Sequence, residues 1–324
     1  MATAIRLKSI CIILLAIILT IACSACGKVT EVIDVVTGDS SASESVAEDP
    51  SLPDRDNTPQ LFPVEAPGEL TFSGNGATVD YSRSYDGYVM VKYDGDNPKI
   101  KMQITFTGSE PYTYDITPNI GFVPFPFSLG NGVYEVSVLT NVGGDRYAKA
   151  AAENIDVALS DPLAPFLRPG QFSNFTAESA LVSKAVEVSA GAKSDLGAVE
   201  KIFNFVTGHV DYDYDKAATV QSGYIPNPDE TLATGKGICF DYASLTTSML
   251  RSQGIPCELT VGYAGQVYHA WIAVFSREGG EVAKVIKFEA DTWTLMDPTF
   301  YSNGDKGDPN LIGTGNEYNP LYHY

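Results

Sequence analysis

Histidine, cysteine and tryptophan are scarce in this chain of 324 residues, which holds three, five and two of them. Basic residues are also few: 21 Lys and Arg stand against 40 Asp and Glu, a formal charge of -19. That deficit argues against a nucleic-acid partner, because phosphate backbones are held by clustered Lys and Arg. Five cysteines are too few to staple a chain of this length, and 44% hydrophobic residues exclude wholesale disorder. The apolar run from Ile10 to Ala22 falls short of the roughly 20 residues that a membrane-spanning helix needs. What is present leaves room for about two ordinary domains.

Arg6 and Lys8 precede that apolar run, and small residues follow it, the order of a secretory signal peptide over residues 1–25. Cys23-Ser24-Ala25-Cys26-Gly27-Lys28 resembles a bacterial lipoprotein processing site. The resemblance implies export and a lipid anchor on the outer face of the cytoplasmic membrane. Cys26 is the expected lipidated residue and Cys23, after Ala22, the alternative; a plain cleaved signal is the blander reading. Removal of residues 1–25 leaves 19 basic groups against 40 acidic ones, a charge of -21. Residues 26–65 are rich in acidic residues, Ser, Thr and Pro, with Pro50, Pro53, Pro59 and Pro63 interrupting them. This composition predicts a disordered acidic tether, with a root-mean-square span of roughly 35 Å.

Residues 66–160 change texture to short alternating runs separated by turn residues. Tyr88–Tyr93, Lys99–Thr107 and Val133–Leu139 have the period-two pattern of half-buried strands, and Asp94-Gly95-Asp96-Asn97 is a turn signal. Several such strands predict a small antiparallel sandwich. No cluster of chemistry marks it, so a spacer domain is expected ahead of a carbohydrate- or protein-binding module.

Residues 161–324 turn helical and then mixed. A helix is expected over 177–190, and a second after Ser194 or Asp195 with Leu196, Val199, Ile202, Phe203 and Val206 on one stripe. A glycine-rich turn at Gly235 and Gly237 leads into a helix from Cys239 to about Ser252, with Gly254 as its stop. Strands follow over 257–263 and 267–275, and 282–288 and 291–296 are expected to continue that sheet. Residues 318–324 read as a strand or strap closing the domain.

Three residues in this half carry candidate chemistry. Cys239 opens a helix, where free N–H groups and the macrodipole favour a thiolate. His269 lies in a strong strand pattern beside Tyr268 and Trp271, where it can be held as general base and acid. Asp297 ends a strand before Pro298 and can accept the other imidazole N–H, fixing the tautomer. A disulfide between Cys239 and Cys257 is disfavoured, because the intervening helix carries the chain about 20 Å at 1.5 Å per residue. Cys239 is thus expected free and Cys257 packed in the core. A zinc site on Cys239, His269 and Asp297 is also disfavoured, since ligand pairs at short spacing are missing.

The run Gly237-Ile238-Cys239-Phe240-Asp241-Tyr242-Ala243, then Met249 to Pro256, Gly262-Tyr263, Tyr268-His269-Ala270-Trp271, and Trp293 to Thr299 resembles the bacterial transglutaminase-like superfamily. The resemblance covers roughly residues 175–300. It implies an α+β, papain-like catalytic domain behind the small all-β sandwich, with Cys239 as nucleophile, His269 as base and Asp297 as orienting acid. It also implies thiol acyl transfer on a protein or peptide substrate, cell-wall peptide included, with water or an amine as acceptor.

The backbone N–H of Cys239 is a natural oxyanion donor, and Tyr212, Tyr214 and Tyr224 are candidates for a second. Trp271 and Trp293 are candidates for the substrate groove. No cofactor is expected; Asp305-Lys306-Gly307-Asp308 offers too few ligands for a recognisable calcium loop. The competing reading is a non-catalytic surface lipoprotein that uses the same fold to bind a peptide or protein.

Overall fold

Alternation of buried and exposed side chains builds the first half of the protein. The computed structural model describes residues 48, 50–283, 285–304 and 317–324. The expected signal peptide, Cys23, Cys26, most of the tether and Asp305–Asp308 lie outside the described residues. Eight strands come first: β1 (Thr71–Gly74), β2 (Ala77–Asp80), β3 (Tyr88–Tyr93), β4 (Ile100–Phe106), β5 (Tyr112–Ile116), β6 (Val123–Pro126), β7 (Gly132–Gly143) and β8 (Arg146–Val157). They form two antiparallel four-stranded sheets, β1-β2-β3-β6 and β5-β4-β7-β8. The inward residues of both, such as Val79, Val89 and Val91 against Met102, Val136 and Val138, make one apolar core. This is a sandwich whose faces are apolar within and polar without.

The helices of the second half are started by side-chain caps. α1 (Ala180–Ser189) follows Ser179, and α2 (Asp195–His209) follows Ser194, whose hydroxyl accepts from the N–H of Gly197 at 3.0 Å. The stripe Leu196, Val199, Ile202, Phe203 and Val206 is buried as its spacing requires. β9 (Asp211–Tyr212), α3 (Tyr214–Thr219), α4 (Pro228–Thr234) and β10 (Lys236–Gly237) lead to α5 (Cys239–Ser252).

Helix α5 is covered on nearly every side: Asp241 through Ser252 are all buried. A helix with so many hydroxyls survives there because each is bonded. Thr246 donates to the carbonyl of Tyr242 at 2.7 Å, Ser248 to that of Ser244 at 2.8 Å, and Ser244 to that of Phe172 at 2.6 Å. Arg251, 1% exposed, donates to the carbonyls of Cys257, Arg168 and Tyr324 at 2.8, 2.7 and 2.7 Å. One buried guanidinium thus ties the helix to a strand start, the interdomain connection and the last strand.

α5 packs on a sheet of β15 (Thr292–Met296), β12 (Val267–Ser276), β11 (Cys257–Ala264) and β16 (Tyr318–His323), in that order and all antiparallel. α6 (Pro298–Asn303) begins as β15 ends. The expected strand over 282–288 is instead a hairpin, β13 (Gly280–Val282) and β14 (Ile286–Phe288), in a sheet of its own. Ala283, at φ +52, turns the chain back where continuous hydrophobicity had suggested extension. Cys239 and Cys257 are both free, and the Cys257 thiol, pushed up to about 12 by burial, donates to Thr247 at 3.4 Å.

The described part of the expected tether is not a free stalk. Its backbone and side chains fill acceptors left open at helix ends. Asn57 donates to the carbonyl of Val186 at 2.9 Å, the N–H of Gln60 to that of Ser252 at 2.9 Å, and Arg55 to that of Gln253 at 2.6 Å. Arg55 also pairs with Asp195 at 2.6 Å. Composition misled here because these partners are main-chain carbonyls of elements more than a hundred residues away. Arg55→Ala is expected to cost about 1–2 kcal/mol of stability and to open residues 50–65 to limited proteolysis while the remaining core stays resistant.

Candidate active site

Cys239 occupies the first turn of α5 and is partly exposed. Its N–H is one of the helix's free amino-terminal donors. The turn before it is set by three interactions. Gly235 closes α4 in the left-handed conformation, φ +62. The N–H of Asp211 donates to the carbonyl of Gly235, and that of Asp213 to Gly237, both at 2.9 Å. Asp241, with no exposure, accepts from the N–H of Ile238 at 2.8 Å. Gly237 is needed by that carboxylate: a β-carbon there would lie 2.5 Å from Cβ of Asp241. The expectation that both glycines open the way to substrate is corrected at this position.

His269 is on β12, 4% exposed, with its Nε2 at 2.7 Å from Oδ2 of Asp297. Phe300 stacks on the imidazole at 4.4 Å and 12°. Asp297 is fully buried and ends β15. Its Oδ1 accepts from the N–H groups of Thr299 and Phe300, each at 3.0 Å, which makes it the cap of α6, and Pro298 fills the first helical position. Its Oδ2 also accepts from the hydroxyl of Tyr318 at 2.8 Å. Burial, and then the Asp297 charge, push Tyr318 far up, so it stays protonated and donates. With Nε2 committed to Asp297, Nδ1 is left for the thiol. Burial lowers the His269 pKa, but hydrogen bonds to Asp297 and Cys239 and their charges outweigh it and raise it to about 10.

A cavity of about 530 Å³ opens on Cys239 and His269. Tyr212, Phe240 and Tyr268 border it, as do Thr113 and Asp115 from the sandwich. Tyr212 is half-buried and pushed up to about 12, first by burial and then by the nearby Cys239. Tyr214 is 71% exposed and meets Tyr212 edge-on at 4.9 Å, outside the cavity. Tyr224 lines the cavity, but its hydroxyl donates to Asp241 at 2.5 Å and accepts from Lys216 at 2.6 Å.

Neither tryptophan lines the groove. Trp271 is 2% exposed, beneath Tyr318 at 4.9 Å. Trp293 pairs in register with Phe275, six residues along the strand from His269, roughly 20 Å away, and packs on Phe166 at 4.9 Å. The other two histidines have partners elsewhere: His209 with the carbonyl of Leu232 at 2.7 Å and His323 with Glu258 at 2.6 Å. Among the described residues no cluster of three His, Cys, Asp or Glu side chains could hold a metal.

These features define a class, an α+β domain with a thiol at a helix start facing an imidazole on a sheet. Residues 182–298 match the Transglutaminase-like superfamily, and this part of the chain is a domain of that family, which is related to cysteine proteases and transglutaminases. The UPF0252 protein MJ1282 of Methanocaldococcus jannaschii is 31% identical over 121 residues, 32% of this chain and 34% of that protein. The Kyphoscoliosis peptidase of Mus musculus is 30% identical over 115 residues, 32% of this chain and 17% of that protein. The chain therefore spans a third or less of these relatives' length. The crystal structure of red sea bream transglutaminase overlaps 68% of this chain and 49% of its own, with 12% identity and a TM-score of 0.31.

His269 keeps its proton through neutral pH. Because its folded pKa is raised from 6.5 to about 10, its protonation stabilises the fold fully below about pH 6.5, and that contribution is lost as pH rises toward 10. NMR titration of the His269 ring is expected to show a midpoint near 10 that falls in Asp297→Asn. A midpoint near 6.5 in both proteins would contradict the assignment.

Proposed function

We propose that this protein is a cysteine acyl-transfer enzyme acting on a peptide or carboxamide carbonyl through a thioester. The observation that carries the reading is the coupling of His269 to both Asp297 and Cys239 at the mouth of a cavity. In this scheme the Cys239 thiolate attacks the carbonyl carbon. The oxyanion that forms takes the N–H of Cys239 and the hydroxyl of Tyr212 as donors. His269, protonated and held by Asp297, gives its proton to the leaving nitrogen, and the C–N bond breaks to leave a thioester and a free amine or ammonia. Water or an amine then attacks the thioester, His269 accepts its proton, and the thiolate is released. Water makes the protein a protease or amidase; a lysine amine makes it a protein-glutamine acyltransferase.

Tyr212 is preferred over the other two tyrosines because its hydroxyl borders the cavity near Cys239, whereas Tyr224 is committed to Asp241 and Tyr214 lies outside. The sequence of residues 1–26 supports export and a lipid anchor at Cys26, or at Cys23, which would place the enzyme at the cell surface facing protein or cell-wall peptide. Among the described residues no helix is long and apolar enough to cross a membrane.

Mass spectrometry of the soluble domain after incubation with a glutamine-containing peptide library, with and without a primary amine, tests this reading. Mass gain with the amine, or cleavage and deamidation without it, is expected to vanish in Cys239→Ala and to slow roughly 100-fold in Tyr212→Phe. If no product depends on Cys239, the non-catalytic binding reading takes its place.

A further inference from the structure

We infer that the sandwich is part of the substrate site: β5 presents its free edge to the cleft and binds the substrate as an extended polypeptide segment. This rests on the acyl-transfer reading of Cys239, which it deepens by naming the substrate class and the element that holds it.

β5 is the terminal strand in the order β5-β4-β7-β8, so one of its edges has no neighbouring strand. Which groups face that edge follows from the register. The N–H of Thr107 donates to Val133 and the N–H of Asn141 to Lys99, so the odd-numbered residues of β4 bond to β7. The even-numbered ones therefore bond to Tyr112, Tyr114 and Ile116 of β5, in the register Ile104 with Tyr112, Met102 with Tyr114 and Ile100 with Ile116. Thr113 and Asp115 point their main-chain N–H and C=O groups outward. Both residues line the cavity that holds Cys239 and His269.

One of these outward groups is already in use in the manner of a strand neighbour: Nε2 of Gln171 donates to the carbonyl of Asp115 at 2.6 Å. Gln171 is 9% exposed, lines the same cavity, and its Oε1 has no hydrogen-bond partner among the described residues. A buried acceptor beside outward N–H and C=O groups is the pattern that a peptide backbone, with its own alternating donors and acceptors, satisfies. The side chains on the wall carry no net charge, since Lys101 and Asp115 pair at 2.6 Å, so recognition there falls to the main chain. A cavity of about 530 Å³ is of the size that takes a small ligand or a few extended residues, and not a folded surface.

The test compares three thiol reagents on the soluble protein: iodoacetamide, a single-residue chloromethyl ketone, and a capped hexapeptide chloromethyl ketone. Iodoacetamide is too small to reach β5 and reports the Cys239 thiol alone. The hexapeptide reagent is expected to alkylate Cys239 at least tenfold faster than the single-residue one. That gain is expected to be lost in Thr113→Pro, which removes an outward N–H, and lost in the unaltered protein when alternate residues of the hexapeptide are N-methylated. The N-methylated reagent keeps the test valid if Thr113→Pro does not fold. If lengthening the reagent gives no gain, or the gain survives both changes, the edge-strand proposal is overturned. If no reagent alkylates Cys239, the acyl-transfer reading itself fails and the proposal falls with it.

Discussion

Asp297 stands where a strand ends and a helix begins, and four hydrogen bonds converge on its carboxylate away from solvent. One oxygen takes the two free N–H groups at the start of α6, which fixes where the carboxylate points. The other takes His269 and Tyr318, which fixes the imidazole tautomer and turns Nδ1 toward Cys239. The same negative charge offsets the cost of keeping a buried imidazolium, which burial alone would have driven neutral. Strand end, helix start, ring orientation and the closing strand β16 therefore share one constraint. Gly262 lets that closing strand approach: a β-carbon there would lie 2.2 Å from the carbonyl of Asn319, one residue beyond Tyr318.

A second constraint joins the two halves of the molecule. Tyr112 and Tyr114 of the sandwich meet Tyr322 and Tyr324 of the last strand and its end, with Tyr112 at 5.2 Å from Tyr322 and Tyr114 at 5.5 Å from Tyr324. Phe172, in the connection between the halves, stacks on Tyr114 at 5.6 Å and meets Phe240, the residue after Cys239, at 5.1 Å. Aromatic packing of this kind continues one apolar core into the next. The sandwich is therefore built against the cleft and held in place, which is hard to reconcile with a passive spacer.

Much of this was legible in the residue pattern, for local reasons. Cys239 was marked by the glycine turn and helix period that follow it, His269 by a strand pattern, and Asp297 by the strand exit before Pro298. Each signal lies within a few residues of the group it marks. Tyr318 was not legible as a partner of Asp297, because it arrives from a strand 21 residues later that carries no catalytic signature. Phe300 was hidden for the opposite reason, since an aromatic in a short helix is ordinary until the ring it stacks on is known. The docking of Arg55, Asn57 and Gln60 depends on helix-end carbonyls that composition does not encode. The two tryptophans went astray because aromatic content marks burial as readily as it marks a groove.

The central claim is that His269 and Asp297 hold Cys239 ready as a nucleophile. The most direct measurement is the rate of iodoacetamide alkylation of Cys239 across pH 5 to 9, in the unaltered soluble domain, in His269→Ala, and in a small free-thiol control. The account predicts a rate at neutral pH well above the control that collapses toward it in His269→Ala. Equal rates in all three would show that the imidazole does not activate the thiol and would contradict the account.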